Sequence, residues 1–153
     1  MEALIRDAVP TDLDALEELE KECFSLPWTR EQLQSELPDE RHEFLTAELD
    51  GDVVGYVGMM CVLDEGYISN VAVSPRFRRQ GIGRALVAEM LRRAEGRQLT
   101  FVTLEVRAHN DGAIALYSQA GFAPVGRRRN YYERPREDAI LMTLFFNKEE
   151  KER

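Results

Sequence analysis

The residues most able to do chemistry come first in Arg78-Arg79-Gln80-Gly81-Ile82-Gly83-Arg84. They follow an apolar, β-like run over residues 68–73, closed by Ser74-Pro75, and open a helical pattern over residues 85–94. Glycine lacks a Cβ, so its backbone can approach an anion closely. The first N–H groups of a helix have no intrahelical partner, and the helix dipole adds partial positive charge beside them. A glycine-containing, arginine-flanked turn from strand to helix therefore suits a phosphorylated ligand. The same residues would also serve as an ordinary turn with solvated arginines. Two familiar phosphate motifs fail on spacing. A P-loop requires Lys and then Ser or Thr after its second glycine, and neither follows Gly83. A dinucleotide fingerprint requires a third glycine, but Leu86 stands there and no acidic residue closes a following strand at the ribose position.

A second group lies in Leu104-Glu105-Val106 and the residues after it. Alternation along an apolar strand places Phe101, Thr103 and Glu105 on one face. A carboxylate in that setting sits at the strand's exposed end or is half-buried. Half-burial would raise its pKa and suit a general base. Asn110 is a good N-cap for the helix that follows. Tyr117 lies seven residues further on, on the same helical face, where a tyrosine is commonly a packing residue with its hydroxyl at the surface.

Composition limits what these groups could serve. The chain has 153 residues and a net charge of −8, which argues against direct nucleic-acid binding. Residues 10–50 hold thirteen acidic and three basic residues, net −10, whereas residues 76–93 hold six arginines and one glutamate, net +5. The basic stretch coincides with the glycine turn and suits an anionic ligand. An acidic rim could attract a basic polypeptide, or could simply solvate a helix. No segment is long and uncharged enough to cross a membrane, and the expectation is a cytoplasmic protein without a secretory leader. Cys23 and Cys61 are read as reduced thiols. They and the two histidines, His42 and His109, form no metal-ligand spacing, so no metal is expected.

The elements that must position these residues can be read from punctuation and period. A strand is expected over residues 3–8, followed by a helix begun by Thr11 with Asp14 as a capping-box-like partner. Thr29 and Gln32 should cap a second short helix, ended by Pro38. Strands follow at 44–49, 53–63 and 67–73, with Asp50-Gly51 as a hairpin turn. After the helix comes a central strand at 99–106, nearly continuous in apolar residues and expected to be covered on both faces. A helix at 110–119 stops at Gly121, and strands at 123–129 and 139–146 complete the fold. The charged residues 148–153 read as a frayed tail.

This chain resembles the Gcn5-related N-acetyltransferases over roughly residues 3–146. The resemblance rests on Arg-x-x-Gly-x-Gly, here Arg78 to Gly83, on Leu104-Glu105-Val106, Asn110, Ala115-Leu116-Tyr117 and Gly121-Phe122, and on the order of elements. It implies an α/β (α+β) fold: a central mixed, largely antiparallel twisted sheet of about seven strands flanked by four helices. It implies one acetyltransferase domain over residues 1–147, with the tail outside it. Acetyl-CoA is the implied co-substrate. Its pyrophosphate would be held by the backbone of Arg78, Arg79, Gln80, Gly81, Ile82, Gly83 and Arg84, and its pantetheine arm by Asn110. A backbone N–H among Val71, Ala72 and Val73 would polarise the thioester carbonyl. Glu105 would be the general base and Tyr117 the general acid. No covalent enzyme intermediate is needed, so neither cysteine is proposed as a nucleophile.

Within that family, Cys23-Phe24-Ser25-Leu26-Pro27-Trp28, Arg128-Arg129-Asn130-Tyr131-Tyr132 and Glu137-Asp138-Ala139 resemble the RimI type, which acetylates the N-terminal alanine of small-subunit ribosomal protein eighteen. The implied partner is a protein N-terminus, with Trp28, Tyr131 and Tyr132 beside the peptide and a monomeric enzyme. Read by themselves, Trp28 could be a hydrophobic plug and the tyrosines strand-end aromatics. Other protein N-termini, lysine side chains and small amines remain open as acceptors. So does a non-catalytic sensor of acyl-CoA.

Overall fold

The computed structural model describes residues 2–133 and 135–146, so the expected tail at 148–153 lies outside the described residues. Eleven elements follow one another: β1 (Leu4–Asp7), α1 (Leu13–Cys23), α2 (Arg30–Ser35), β2 (His42–Leu49), β3 (Asp52–Val62), β4 (Glu65–Val73), α3 (Ile82–Gly96), β5 (Phe101–Arg107), α4 (Asp111–Ala120), β6 (Ala123–Glu133) and β7 (Arg136–Phe145). The strands form one sheet of seven in the order β1-β2-β3-β4-β5-β7-β6. Only β4 and β5 run parallel; the other pairs are antiparallel.

Local chemistry accounts for most boundaries. Asp50 and Gly51 turn the β2–β3 hairpin with φ values of 52° and 86°, the left-handed pair that a two-residue turn requires. Thr29 accepts the Gln32 backbone N–H, and Gln32 returns the bond to Thr29, the expected capping box. Gly121 ends α4 at φ 111°, and the Phe122 N–H closes back on the Tyr117 carbonyl at 3.0 Å, as a glycine C-terminus should. The start of α1 differs from expectation. Thr11 is not its cap; Pro10–Asp12 is a 3-10 turn and the helix begins at Leu13. Asp12 controls this entry, because its carboxylate accepts the Val9 N–H at 2.8 Å and both terminal nitrogens of Arg6 at 2.9 and 3.0 Å.

Helices cover both faces of the sheet. Neighbouring strand residues point to opposite sides, so Phe44 and Tyr56 join Leu16, Leu19 and Leu33 beneath α1 and α2. Leu45 and Val57 face the other way and join Leu86, Val87 and Met90 of α3. On β5, Val102, Leu104 and Val106 are buried on the α3 side, while Phe101, Thr103 and Glu105 are half-buried on the other. This corrects the expectation of a strand covered on both faces: the helices on the second side sit over β2 to β4, and β5 lies beyond them. The last strands are also longer than expected. β6 runs through Tyr131 and Tyr132 to Glu133, and β7 begins at Arg136. Among the described residues no helix is long and apolar enough to cross a membrane.

One contact fixes where α3 begins. A Cβ added at Gly55 would lie 2.9 Å from the Ala72 carbonyl oxygen, 3.2 Å from Leu86 Cδ1 and 3.4 Å from Ile82 Cγ2. The first turn of α3 therefore packs directly on the β3 backbone. Gly55→Ala should destabilise the fold by about 1–3 kcal/mol through overpacking, read from urea unfolding curves. Unchanged stability would mean that α3 is not seated against β3 in this way.

Candidate active site

Strands β4 and β5 share only three pairs, Glu65 with Phe101, Gly66 with Val102 and Tyr67 with Thr103. Beyond them the strands part. The cause lies on β4, where the register to β3 slips between Gly58 and Met59 and leaves Ser69 as the extra residue. A bulge bends its strand and moves the following side chains to the opposite face. Ile68 accordingly lies in the α3 core while Ala72, four residues on, lies in the α1–α2 core. The rest of β4 keeps its ladder to β3 on one edge only. The Ser74 N–H donates to the Val54 carbonyl at 2.8 Å. Alternation along an antiparallel ladder turns the Ala72 N–H to β3 as well, so the Val71 and Val73 N–H groups face the gap.

The arginine-glycine turn closes one end of that gap. Gly81 caps α3 with φ 81° and offers no side chain to the helix. Arg79 is also left-handed, at φ 64°. The first intrahelical bond runs from Ala85 N–H to the Gly81 carbonyl at 3.0 Å, so the N–H groups of Ile82, Gly83 and Arg84 have no partner within the helix. Such a run of amides with left-handed residues has the chemistry to hold an anion. The flanking arginines divide their work. Arg78 turns inward, its Nε donating to the Val73 carbonyl at 3.1 Å and its Nη2 reaching Cys23 Sγ at 3.8 Å. Arg84 reaches across to Gln119 of α4 at 2.8 Å. Between α3 and α4 opens a groove of about 600 Å³, lined by Arg84, Leu91, Arg92, Leu116 and Gln119 among others. Asn110 caps α4 as expected, accepting the Ala113 N–H at 3.1 Å.

Across the gap stands Glu105, half-buried. One carboxylate oxygen, Oε1, lies 3.6 Å from Arg128 Nε. The other, Oε2, is fully buried and has no hydrogen-bond partner among the described residues. A buried carboxylate oxygen without a donor is costly, and its natural completion is a donor brought by a ligand. The Tyr131 phenol faces the same carboxylate; hydrogen bonding to Glu105 is the largest cause that raises its pKa. Tyr132 lies within electrostatic reach of both Glu105 and Tyr117, and burial above all pushes its phenol up to about 12. The Arg107 guanidinium covers the Tyr132 ring at 4.3 Å.

Tyr117 is more deeply placed than a surface packing residue. It is 7% exposed and meets Phe122 edge-on at 5.9 Å. Desolvation raises its pKa well above that of an ordinary phenol, so it holds its proton near neutrality. The structure therefore gathers Glu105, Tyr117, Tyr131 and Tyr132. Trp28 belongs to another group. Its side chain packs half-buried on the α1–α2 core, and its N–H donates to Glu20 Oε1 at 2.6 Å.

Glu20 falls within the acidic stretch 10–50, for which the sequence left a solvated helix face open; it is 1% exposed and also receives the Tyr56 hydroxyl. An acidic residue four positions after Leu16 and one after Leu19, on the apolar side of α1, was the available signal. Among the described residues no group of three or more His, Cys, Asp or Glu side chains is placed to hold a metal ion.

The fold is shared. The pattern of the acetyltransferase (GNAT) family matches residues 13–122, and the chain belongs to that family. It is 39% identical over 136 residues to the ribosomal protein bS18-alanine N-acetyltransferase of Escherichia coli K12, a match covering 88% of this chain and 91% of the relative. The crystal structure of the ribosomal-protein-S18-alanine N-acetyltransferase from Escherichia coli superposes with a TM-score of 0.86 at 37% identity, covering 94% of this chain and 93% of that one. Arabidopsis thaliana NAA60 in complex with acetyl-CoA has the same TM-score, 0.86, at 25% identity, covering 94% of this chain and 99% of that one.

Glu20 has a consequence for stability. Burial raises its pKa against the opposing bonds from Tyr56 and Trp28, so the folded chain holds this proton more tightly than the unfolded one. Its stabilising contribution is complete below the unfolded value, about 4.3, and is lost as pH rises through the folded value. Glu20→Gln keeps a carbonyl acceptor and carries no charge to desolvate. Its unfolding free energy relative to the parent should therefore climb as pH rises above about 4.3, measured by urea titration at each pH. A constant difference would show that the carboxyl titrates normally.

Proposed function

We propose that this chain transfers the acetyl group of acetyl-CoA to the N-terminal α-amino group of a protein, with the N-terminal alanine of ribosomal protein bS18 as its acceptor. The observation that carries the reading is the unpartnered, buried Glu105 Oε2, on β5 just past the last β4–β5 pair, where the strands have parted. The acceptor named for the Escherichia coli relative supports the substrate, and the ligand named for the NAA60 structure supports the co-substrate. The residues fit that co-substrate. The open N–H groups at the start of α3 and the Arg79 and Arg84 side chains suit a pyrophosphate. Asn110 keeps its amide donors for the pantetheine arm, since its cap uses only the side-chain oxygen. A ribosomal protein as acceptor places the reaction in the cytoplasm, and residues 1–147 are read as one acetyltransferase domain acting as a monomer.

An α-amino group has a pKa of about 7.7–8.0, so most of it is protonated near pH 7. Glu105 takes that proton, directly or through one water. The neutral nitrogen then bonds the acetyl carbon while the Val71 and Val73 N–H groups stabilise charge developing on the carbonyl oxygen. As the C–S bond breaks, Tyr117 gives its proton to the departing sulfur. The raised pKa of Tyr117 keeps that proton in place until it is needed. The nitrogen loses its second proton as it becomes the amide, and that proton returns through water to the Tyr117 phenolate, while Glu105 passes its own proton to solvent. Tyr131, Tyr132 and Trp28 would border the peptide, and a neutral phenol at Tyr131 leaves Glu105 uncrowded by a second negative charge.

Two measurements decide the roles. Glu105→Gln and Tyr117→Phe should each lower kcat by about 10²-fold or more while acetyl-CoA affinity by calorimetry changes little. Normal rates for both over a pH series would remove the acid–base assignment. Loss of both Arg79 and Arg84 to Ala should weaken acetyl-CoA binding about ten-fold at low salt and less at high salt. Unchanged affinity would take the turn out of its role. The acceptor is tested by following thiol release with a peptide beginning with alanine. Release with small amines alone would make the enzyme a small-amine acetyltransferase, and binding without release would make it a sensor.

A further inference from the structure

Strand β6 reaches Tyr131 and Tyr132 through an irregularity. Its pairing with β7 jumps from Arg128–Ala139 to Tyr132–Glu137. Three residues of β6, Arg129, Asn130 and Tyr131, therefore stand opposite one residue of β7, Asp138. Asn130 takes φ 52° to make the arch. The backbone of Asp138 does not serve it, since the Asp138 carbonyl accepts the Ala108 N–H at 2.9 Å on the β5 side. The side chain does. Asp138 Oδ1 accepts the Asn130 N–H at 2.8 Å and Oδ2 accepts Arg127 Nε at 2.7 Å. One carboxylate thus fills the space left by the missing main-chain bonds and ties the middle of the arch to Arg127 in the regular strand before it.

What the arch presents is the acceptor side of the site. Tyr131 and Tyr132 stand edge to face at 5.1 Å, with Tyr131 facing Glu105 and Tyr132 coupled to Glu105 and Tyr117. Arg128, the last residue paired before the arch, lies 3.6 Å from Glu105 and 5.6 Å from the Tyr131 ring centre. A bulge beside a site re-aims side chains that a regular strand would send to alternate faces. Here it lets two consecutive tyrosines serve one cluster.

We propose that Asp138 is a positioning residue for the acceptor side of the reaction: its carboxylate holds the β6 arch in one shape, and that shape sets Tyr131 beside Glu105 and Arg128 and sets Tyr132 edge to face with Tyr131 under Arg107. The proposal rests on the reading of Glu105 and Tyr117 as the reacting pair. Asp138 touches neither substrate; it acts through Asn130 and Arg127. Its neighbour Glu137 holds the other wall, accepting the His109 N–H at 2.7 Å and Arg107 Nη1 at 3.3 Å, and Arg107 lies over Tyr132.

The test compares Asp138→Ala with the conservative Asp138→Asn, which keeps an oxygen for the Asn130 N–H. In Asp138→Ala the KM for an alanine-starting peptide should rise on the order of ten-fold, with a smaller fall in kcat and unchanged acetyl-CoA affinity. Asp138→Asn should recover most of that loss. So should Asn130→Gly in the Asp138→Ala background, because glycine adopts the left-handed turn unaided. A second readout does not need turnover. Tyrosinate absorbance, taken as the difference between each protein and its Tyr131→Phe counterpart, should show Tyr131 ionising above the ordinary phenol value in the parent and in Asp138→Asn, and close to it in Asp138→Ala. Should Asp138→Ala fail to fold, Asn130→Val, at an exposed position where a β-branched residue resists positive φ, must produce the same KM rise and the same titration change. An unchanged peptide KM, an unchanged Tyr131 titration, or equal losses of kcat and acetyl-CoA affinity without a KM change would each overturn the proposal. If the parent protein acetylates no peptide, the protein-acceptor reading falls by itself, and the Tyr131 titration still decides the role of Asp138.

Discussion

Two parallel strands, β4 and β5, hold together for three residue pairs and then separate. That separation is the constraint on which the site depends. Interior strands rarely leave backbone N–H groups unpaired, because an unsatisfied amide is costly. Here the Ser69 bulge on β4 turns the strand from its partner and leaves Val71 and Val73 with one free edge. The same bulge swaps the faces of the side chains, so Ala72 packs under α1 and α2. Because β4 ends at Val73 and Ser74-Pro75 follows at once, the chain must turn beside this gap and enter α3 there. The anion-binding turn and the open strand edge are neighbours by covalent necessity.

A sheet opened in this way needs other bonds to keep it from closing or drifting. The end of α1 supplies them on one side. The Cys23 thiol donates to the Val73 carbonyl at 3.5 Å, beside the Arg78 bond to the same oxygen. Glu20 joins Tyr56 of β3 to the backbone at Trp28. The far end of α3 is held by charge: Arg93 reaches Asp7 and Glu43 at 2.8 and 3.1 Å, and Arg97 reaches Glu43 at 2.6 Å. These pairs are partly exposed, and each is worth about 1 kcal/mol or less. Their joint effect is orientation, since they tie the last turns of α3 to β1 and β2 while Gly55 seats its first turn on β3.

What could be read from the chain was whatever a short stretch decides by itself. The capping box at Thr29, the left-handed Asp50-Gly51 turn, the glycine stop at Gly121 and the Asn110 cap are each settled within about four residues, and each stands as expected. The geometry of the arginine-glycine turn belongs with them, because Gly81 supplies the left-handed cap from which α3 starts. The illegible features depend on contacts across long stretches of chain. Asp12 displaces Thr11 at the start of α1 because Arg6 and the Val9 amide claim its carboxylate. Glu20 is buried because Tyr56, thirty-six residues away, offers it a hydroxyl. β6 runs on through Tyr132 because Asp138 on the next strand supplies the bonds that the arch lacks. No local propensity contains any of these.

The two halves of the site are therefore built from different materials. On the reading proposed for this site, its phosphate-binding half is backbone: amides at a helix start, a strand edge freed by a bulge, and glycines chosen for what they lack. Side-chain substitution nearby alters its charge but leaves its geometry, so one such half can serve many acceptors. The acceptor half is side chain throughout. Glu105, Tyr117, Tyr131 and Tyr132 come from β5, α4 and β6, and their relative placement runs through Glu137 and Asp138 on β7. A change of one carboxylate on β7 can move two phenols without disturbing the phosphate cradle. Under the same reading, discrimination among amines has its physical seat on β6 and β7, where the sheet is most exposed and its register least regular.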